Sequence, residues 1–128
     1  MRPLRGADDK PVNWLNYKTG IKNLYFRMDA GNDKATIAIE LRHTDREAQQ
    51  HYFEKFGNVK ELFRQTMGEN WRWQLHDTDV DGKLVSRIMT QLKGVNILNV
   101  NDWPAIISFL KPRIVALDTY WNMIKESF

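Results

Sequence analysis

Cysteine is absent from the 128 residues. That removes a disulfide framework, a thiolate nucleophile and cysteine-ligated zinc, and it fits a reducing compartment such as the cytoplasm. No apolar run approaches the ~20 residues that a membrane helix needs. The first residues, Met1-Arg2-Pro3-Leu4-Arg5-Gly6, carry positive charge without an apolar stretch behind them, so no secretory signal is read there. Glycines such as Gly20, Gly31, Gly57, Gly68 and Gly82 stand apart from one another, which leaves no GxGxxG or GxxxxGK[ST] phosphate loop and argues against a nucleotide cofactor. There is no low-complexity tract, no Pro/Gly/Ser linker and no block of one charge sign. A net charge of +3 therefore speaks only weakly for a polyanionic partner.

What remains is a chain that can build one core. Hydrophobic residues make up 42% of it and aromatics 12%, and a chain of this length buries roughly two thirds of its surface on folding. Residues 1–11, with Pro3, Gly6 and Pro11, read as a loose lead-in, and residues 12–128 as a single domain.

Period-two alternation dominates the first half. Val12–Tyr17 is β-rich; Leu24, Phe26 and Met28 then alternate with Tyr25, Arg27 and Asp29, and Ala35, Ile37, Ile39 and Leu41 alternate with Thr36, Ala38, Glu40 and Arg42. Setting Asp29 opposite Lys34 across the Ala30–Asp33 turn places Leu24 against Ile39 and Phe26 against Ile37, which brings the apolar faces together. Thr44-Asp45-Arg46-Glu47 has capping-box spacing, and the stripe Ala48, Tyr52, Phe56, Val59, Phe63 and Met67 predicts one long helix that stops at Gly68. Gly57 inside it marks a bend or a close contact. The helix stripe is expected to lie on Leu24, Phe26, Ile37 and Ile39. A second hairpin follows, Trp71–His76 and Leu84–Leu92, joined through Asp81-Gly82. Asn101-Asp102-Trp103-Pro104 opens a second long helix, with Pro112 expected to kink or split it. The expected fold is α+β, in the order β-β-β-α-β-β-α: a mainly antiparallel sheet of about five strands with two long helices on one face.

Four groups of residues are candidates for chemistry. Asp77, Asp79, Asp81 and Gly82 occupy the first, third, fifth and sixth places of a calcium loop, yet the twelfth place is Ile88 and the flanks are strands. A plain acidic turn is the better reading. Asp29 with Glu40 and Arg42 resembles a metal-dependent nuclease core, but in the register above Glu40 faces Asn23, about 20 Å along the strand from Asp29 at strand rise. His43, His51 and His76 fall on separate elements without an adjacent ligand cluster. Aromatic and basic residues also interleave: Tyr17, Lys18, Lys22, Tyr25 and Arg27 in the first strands, and Trp71, Arg72 and Trp73 in the fourth. The tryptophans read as core. Tyr25, Arg27, Glu40 and Arg42, extended by Arg72 and Arg87 if the second hairpin joins the sheet, form the candidate binding face for nucleic acid or a partner protein. No catalytic, cofactor or metal residue is assigned.

Together the stretches VNWLNYKTGIKNLYFRMDA, ATIAIELRHTD, GKLVSRI and NDWPAIISFLKPRIVALDTYW resemble the bacterial family known as domain of unknown function 4268, over nearly the whole chain from Val12 onward. The resemblance implies a module like the C-terminal part of larger proteins whose N-terminal half is nuclease-like, hence accessory or recognition work. Metal-dependent hydrolysis is the alternative. The family supplies no agreed catalytic residues. Relative to its pattern the chain begins at Met1-Arg2-Pro3-Leu4, where an aromatic-rich helix is expected, and so reads as a fragment or short paralogue. Without that helix an uncovered sheet face would favour self-association. The acidic-turn reading of Asp77–Gly82 predicts that millimolar calcium leaves the melting temperature unchanged; a rise of a few degrees overturns it.

Overall fold

The computed structural model describes residues 17–128 together with Leu4–Arg5 and Pro11–Val12. Strands β1 (Leu4–Arg5) and β2 (Pro11–Val12) pair antiparallel, so part of the expected lead-in is a ribbon. Of the expected strand Val12–Tyr17, residues 13–16 lie outside the described residues, and Tyr17–Lys18 forms β3. The main sheet contains β3, β4 (Leu24–Ala30), β5 (Lys34–Leu41), β6 (Arg72–Thr78) and β7 (Leu84–Lys93) in the order β3-β4-β5-β7-β6, every neighbour antiparallel. The five-stranded antiparallel α+β architecture matches the sequence expectation, and the second hairpin joins the first through β5 and β7.

The register of the first hairpin differs from expectation by two residues. Ala30 rather than Asp29 begins the pairing, opposite Ala35, so Phe26 faces Ile39 and Leu24 faces Leu41. The turn is tighter than the composition of Ala30–Asp33 implied: Gly31 N–H donates to the Lys34 carbonyl at 2.9 Å, with only Asn32 and Asp33 at the tip. A two-residue slip leaves the faces intact because side chains alternate with period two. It does change which residues on the outer face are neighbours.

The first long helix is in fact two, α1 (Arg46–Asn58) and α2 (Lys60–Met67), separated at Val59, whose backbone leaves the helical region at φ −115° and ψ 24°. The break follows Gly57-Asn58, two poor helix formers in succession. Asp45, not Thr44, caps α1, its carboxylate accepting from Glu47 N–H at 3.1 Å. The stop at Gly68 is as expected, in the left-handed region at φ 73°. Helix α3 (Trp103–Ile124) runs through Pro112 without splitting. Its buried stripe Ile106, Phe109, Ile114, Leu117, Tyr120, Trp121 and Ile124 spans both sides of the proline, so packing outweighs the one backbone hydrogen bond lost at exposed Pro112. Asp102 precedes the helix but does not cap it: its carboxylate accepts from Asn96 N–H at 2.9 Å instead.

The helices divide the inner sheet face between them. Helix α3 lies over β5 and reaches β4 and β3: Trp121 meets Phe26 edge to face, its Nε1–H donates to the Thr19 carbonyl at 3.1 Å, and Tyr17 O–H donates to Asp118 at 2.5 Å. Helix α1 lies over β5, β6 and β7, with Phe53 against Trp73, while Phe63 of α2 packs on both Trp71 and Trp73. The stripe expected over Leu24 and Phe26 therefore sits mainly on the second hairpin, because the longer, more apolar C-terminal helix occupies the first. Phe56 lies between them, against Tyr120 and Trp121.

One buried polar knot stitches helix to sheet. Gln49 is fully buried; its amide donates to the His43 carbonyl at 3.0 Å and accepts from Ser86 O–H at 2.5 Å, while Ser86 Oγ accepts from His76 N–H at 2.9 Å. His76 sits at a β-bulge with φ 53°, and this bond helps hold that conformation. Gln49→Ala orphans two buried groups and leaves a cavity, so it should cost about 2–4 kcal/mol in urea denaturation, against less than ~0.5 kcal/mol for exposed Gln50→Ala.

Candidate binding face

Because strand side chains alternate, Tyr25, Arg27, Ala38, Glu40, Arg87, Met89, Arg72 and Gln74 all project from the face opposite the helices. All six predicted site residues lie together. Tyr25 is directly opposite Glu40, Glu40 opposite Arg87, and Arg87 opposite Gln74; Arg27 faces Ala38, and Arg72 faces Met89. Arg42 follows β5, its N–H donating to the Asn23 carbonyl at 2.8 Å. Ala38, Val85 and Met89 are buried on this side without belonging to the core between sheet and helices.

Glu40 is the centre of this face and only 7% exposed. A carboxylate there needs charge partners, and it has three: Arg27 Nε and Arg42 Nε at 3.0 Å from Oε1, and Arg87 Nε at 3.3 Å from Oε2. Two outer carboxylates extend the network, Asp79 Oδ2 at 2.8 Å from Arg42 Nη1 and Asp77 Oδ2 at 3.5 Å from Arg87 Nη1. Three guanidinium groups thus meet three carboxylates. Burial acts to lower the Arg42 pKa, but the hydrogen bonds to Asp79 and Glu40 outweigh it and hold the guanidinium above its ordinary value. The Lys83 backbone N–H and then Arg42 hold the Asp79 carboxyl below the usual carboxylate range. Arg27 also stacks over the Tyr25 ring, 4.9 Å from its centroid, which leaves an exposed aromatic–cation pair at the edge of the cluster.

The other candidates resolve differently. In the calcium-like turn Asp79 Oδ1 accepts from the N–H groups of Asp81 and Lys83, both at 2.9 Å, and its other oxygen takes Arg42, so the third ligand position is already saturated. Glu40 lies opposite Tyr25, not Asn23, and Asp29 opposite Thr36, which separates the two carboxylates by about 13 Å along the sheet. With both Glu40 oxygens bonded to arginine, the nuclease-like pair does not assemble. Among the described residues no group of three or more His, Asp or Glu could hold a metal ion. His43 is buried and stacked on Tyr52, and desolvation lowers its pKa. His76 instead meets Arg46. A cavity of about 500 Å³ between the end of β4 and the start of α3 is lined mostly by apolar groups such as Met28, Trp103, Ile107 and Ile114, with Asp29 and Lys111 as its charged members. Trp71 and Trp73 belong to the inner face, as expected.

Two members of the network, Asp77 and Asp79, were missed as partners of the arginines. Read along the chain they are turn residues; the β6–β7 register brings Asp77 to Arg87, and the β5–β7 pairing brings Asp79 to Arg42.

The family model described as domain of unknown function (DUF4268) matches residues 3–125. No curated protein and no solved structure matches the chain significantly. No helix among the described residues is long and apolar enough to cross a membrane.

Breaking the hub should cost far more than trimming its rim. Glu40→Ala leaves three arginines facing one another and should lose about 2–4 kcal/mol, discounted from fully buried pairs because the arginines are partly exposed. Arg27→Ala, whose side chain is 54% exposed, should lose less than ~1 kcal/mol. Chemical denaturation of both variants checks the ratio.

Proposed function

The chain belongs to that family of domains of unknown function, and from this premise we propose that it is a non-catalytic binding module whose sheet face opposite the described helices contacts nucleic acid, beside a nuclease-type enzyme rather than as one. The observation that carries this reading is the arginine-saturated Glu40. A buried carboxylate with both oxygens bonded to guanidinium groups is spent on architecture, and it orients arginines on the face opposite the described helices. Around it Tyr25 offers a ring for base stacking, with Arg27 fixed over that ring. The resemblance to modules that accompany nuclease-like domains supports the same assignment. The cysteine-free composition suits a reducing compartment, and on that ground we place the domain in a cytoplasm.

A partner protein is the second reading, favoured by the charge balance of the Arg27, Arg42, Arg87, Glu40, Asp77 and Asp79 network, which leaves the centre of the face without surplus positive charge. Salt separates the two, since binding through phosphates weakens steeply with salt and a protein interface responds little. Fluorescence anisotropy with labelled single- and double-stranded DNA and RNA should show binding at ~50 mM salt that falls at least tenfold by ~200 mM. Tyr25→Ala with Arg27→Ala should weaken single-strand binding about tenfold or more, the worth of one stacked base. No binding to any oligonucleotide at low salt defeats the nucleic-acid reading.

A further inference from the structure

Away from Glu40 the same face changes character. The β5–β7 register places Lys34 directly opposite Lys93, both exposed at the far end of the sheet. Like charges directly opposite in an antiparallel pair are destabilising. On the adjoining strand Arg72 shares with Lys93 a shallow polar cleft of about 240 Å³, lined also by Asn70, Met89, Thr90 and Gln91. Among the described residues these three cations make no ion pair and no side-chain hydrogen bond. The acidic neighbours do not relieve them: Asp29, diagonal on β4, and Asp33, next in the chain, form no ion pair with Lys34. The face therefore has two zones, a neutral network around Glu40 and a corner of three unpaired cations.

We propose that Lys34, Lys93 and Arg72 form the phosphate-contact site of this face, and that its ligand is the phosphodiester backbone of nucleic acid. The proposal rests on the reading of the sheet face as a nucleic-acid surface and deepens it. Cations already bonded to carboxylates must give up those bonds to take a phosphate, whereas an unpaired pair of lysines gains twice, from the new attraction and from the relief of their mutual repulsion. Asn70 and Gln91 add amide donors at the cleft wall. Lys34 lies six residues along β5 from Glu40, about 20 Å at strand rise, so a strand crossing the face from this corner reaches Tyr25 and Arg27 several nucleotides on.

The test uses the full chain and a labelled single-stranded oligothymidylate. Lys34→Gln with Lys93→Gln should weaken binding about tenfold or more at low salt and flatten the slope of log affinity against log salt by about 1.4; Arg72→Gln should flatten it by a further ~0.7. The double variant should melt no lower than the wild type, because it removes a repulsion. Pyrophosphate should raise the wild-type melting temperature above that in chloride of equal ionic strength, and this rise should vanish in the double variant. If the wild type binds no oligonucleotide, the reading of the whole face falls and this site with it. If the wild type binds and the lysine and arginine variants keep its affinity and salt slope, the corner is not the phosphate site, and the broader reading stands.

Discussion

Strand β5 sits between β4 and β7, hydrogen-bonded along both edges, with Ile37, Ile39 and Leu41 pressed under the helices. A strand in that position cannot move its outward side chains away from the middle of the sheet. Glu40 is therefore held where water is scarce, and the unpaired charge would cost several kcal/mol. The arginines of β4 and β7, and Arg42 just beyond β5, answer that constraint. They in turn recruit Asp77 and Asp79, which ties the β6–β7 turn to the centre of the sheet. The polar face is thus a single electrostatic unit organised by one carboxylate in a strand that cannot yield.

The unit has a consequence for recognition. Arginines that look like a cationic patch in projection are mostly spent on one another's counter-charges, and surplus positive charge lies at the sheet end, on Lys34, Lys93 and Arg72. A count of basic residues would miss this division, since it depends on who stands opposite whom. The inner face is organised differently, by aromatic packing. Phe63 sits edge-on to Trp71, Trp73 and Tyr120, and Phe26 edge-on to Trp121, so helices and hairpins are locked by ring geometry as well as by buried area.

Much of this was legible from local pattern. Alternation of Leu24, Phe26 and Met28 with Tyr25, Arg27 and Asp29 wrote two faces into one strand, Gly68 marked the helix stop, and Asp81-Gly82 the hairpin. The candidate face Tyr25, Arg27, Glu40, Arg42, Arg72 and Arg87 follows from the same alternation, given a second hairpin that joins the sheet. Less visible were the exact partner of each residue and the use of each cap. The tight Asn32-Asp33 tip moved the register by two, and Asp102 spent its carboxylate on Asn96 rather than on its helix. Local motifs permit several hydrogen-bonding solutions of similar energy, and the surrounding fold chooses among them.

By itself, then, the amino-acid sequence determined the class of fold, the strand faces and the set of side chains on the polar side, because period and turn chemistry are properties of neighbours in the chain. Only the tertiary structure decided that α3 rather than α1 takes most of the first hairpin, that Glu40 is shared by three arginines, and that Lys34 confronts Lys93. Helix docking, the Arg87–Glu40 contact and the Lys34–Lys93 pair each join residues dozens of positions apart, the last two through the β5–β7 pairing. The energies that select such contacts are those of packing and charge between distant segments, which no local period encodes.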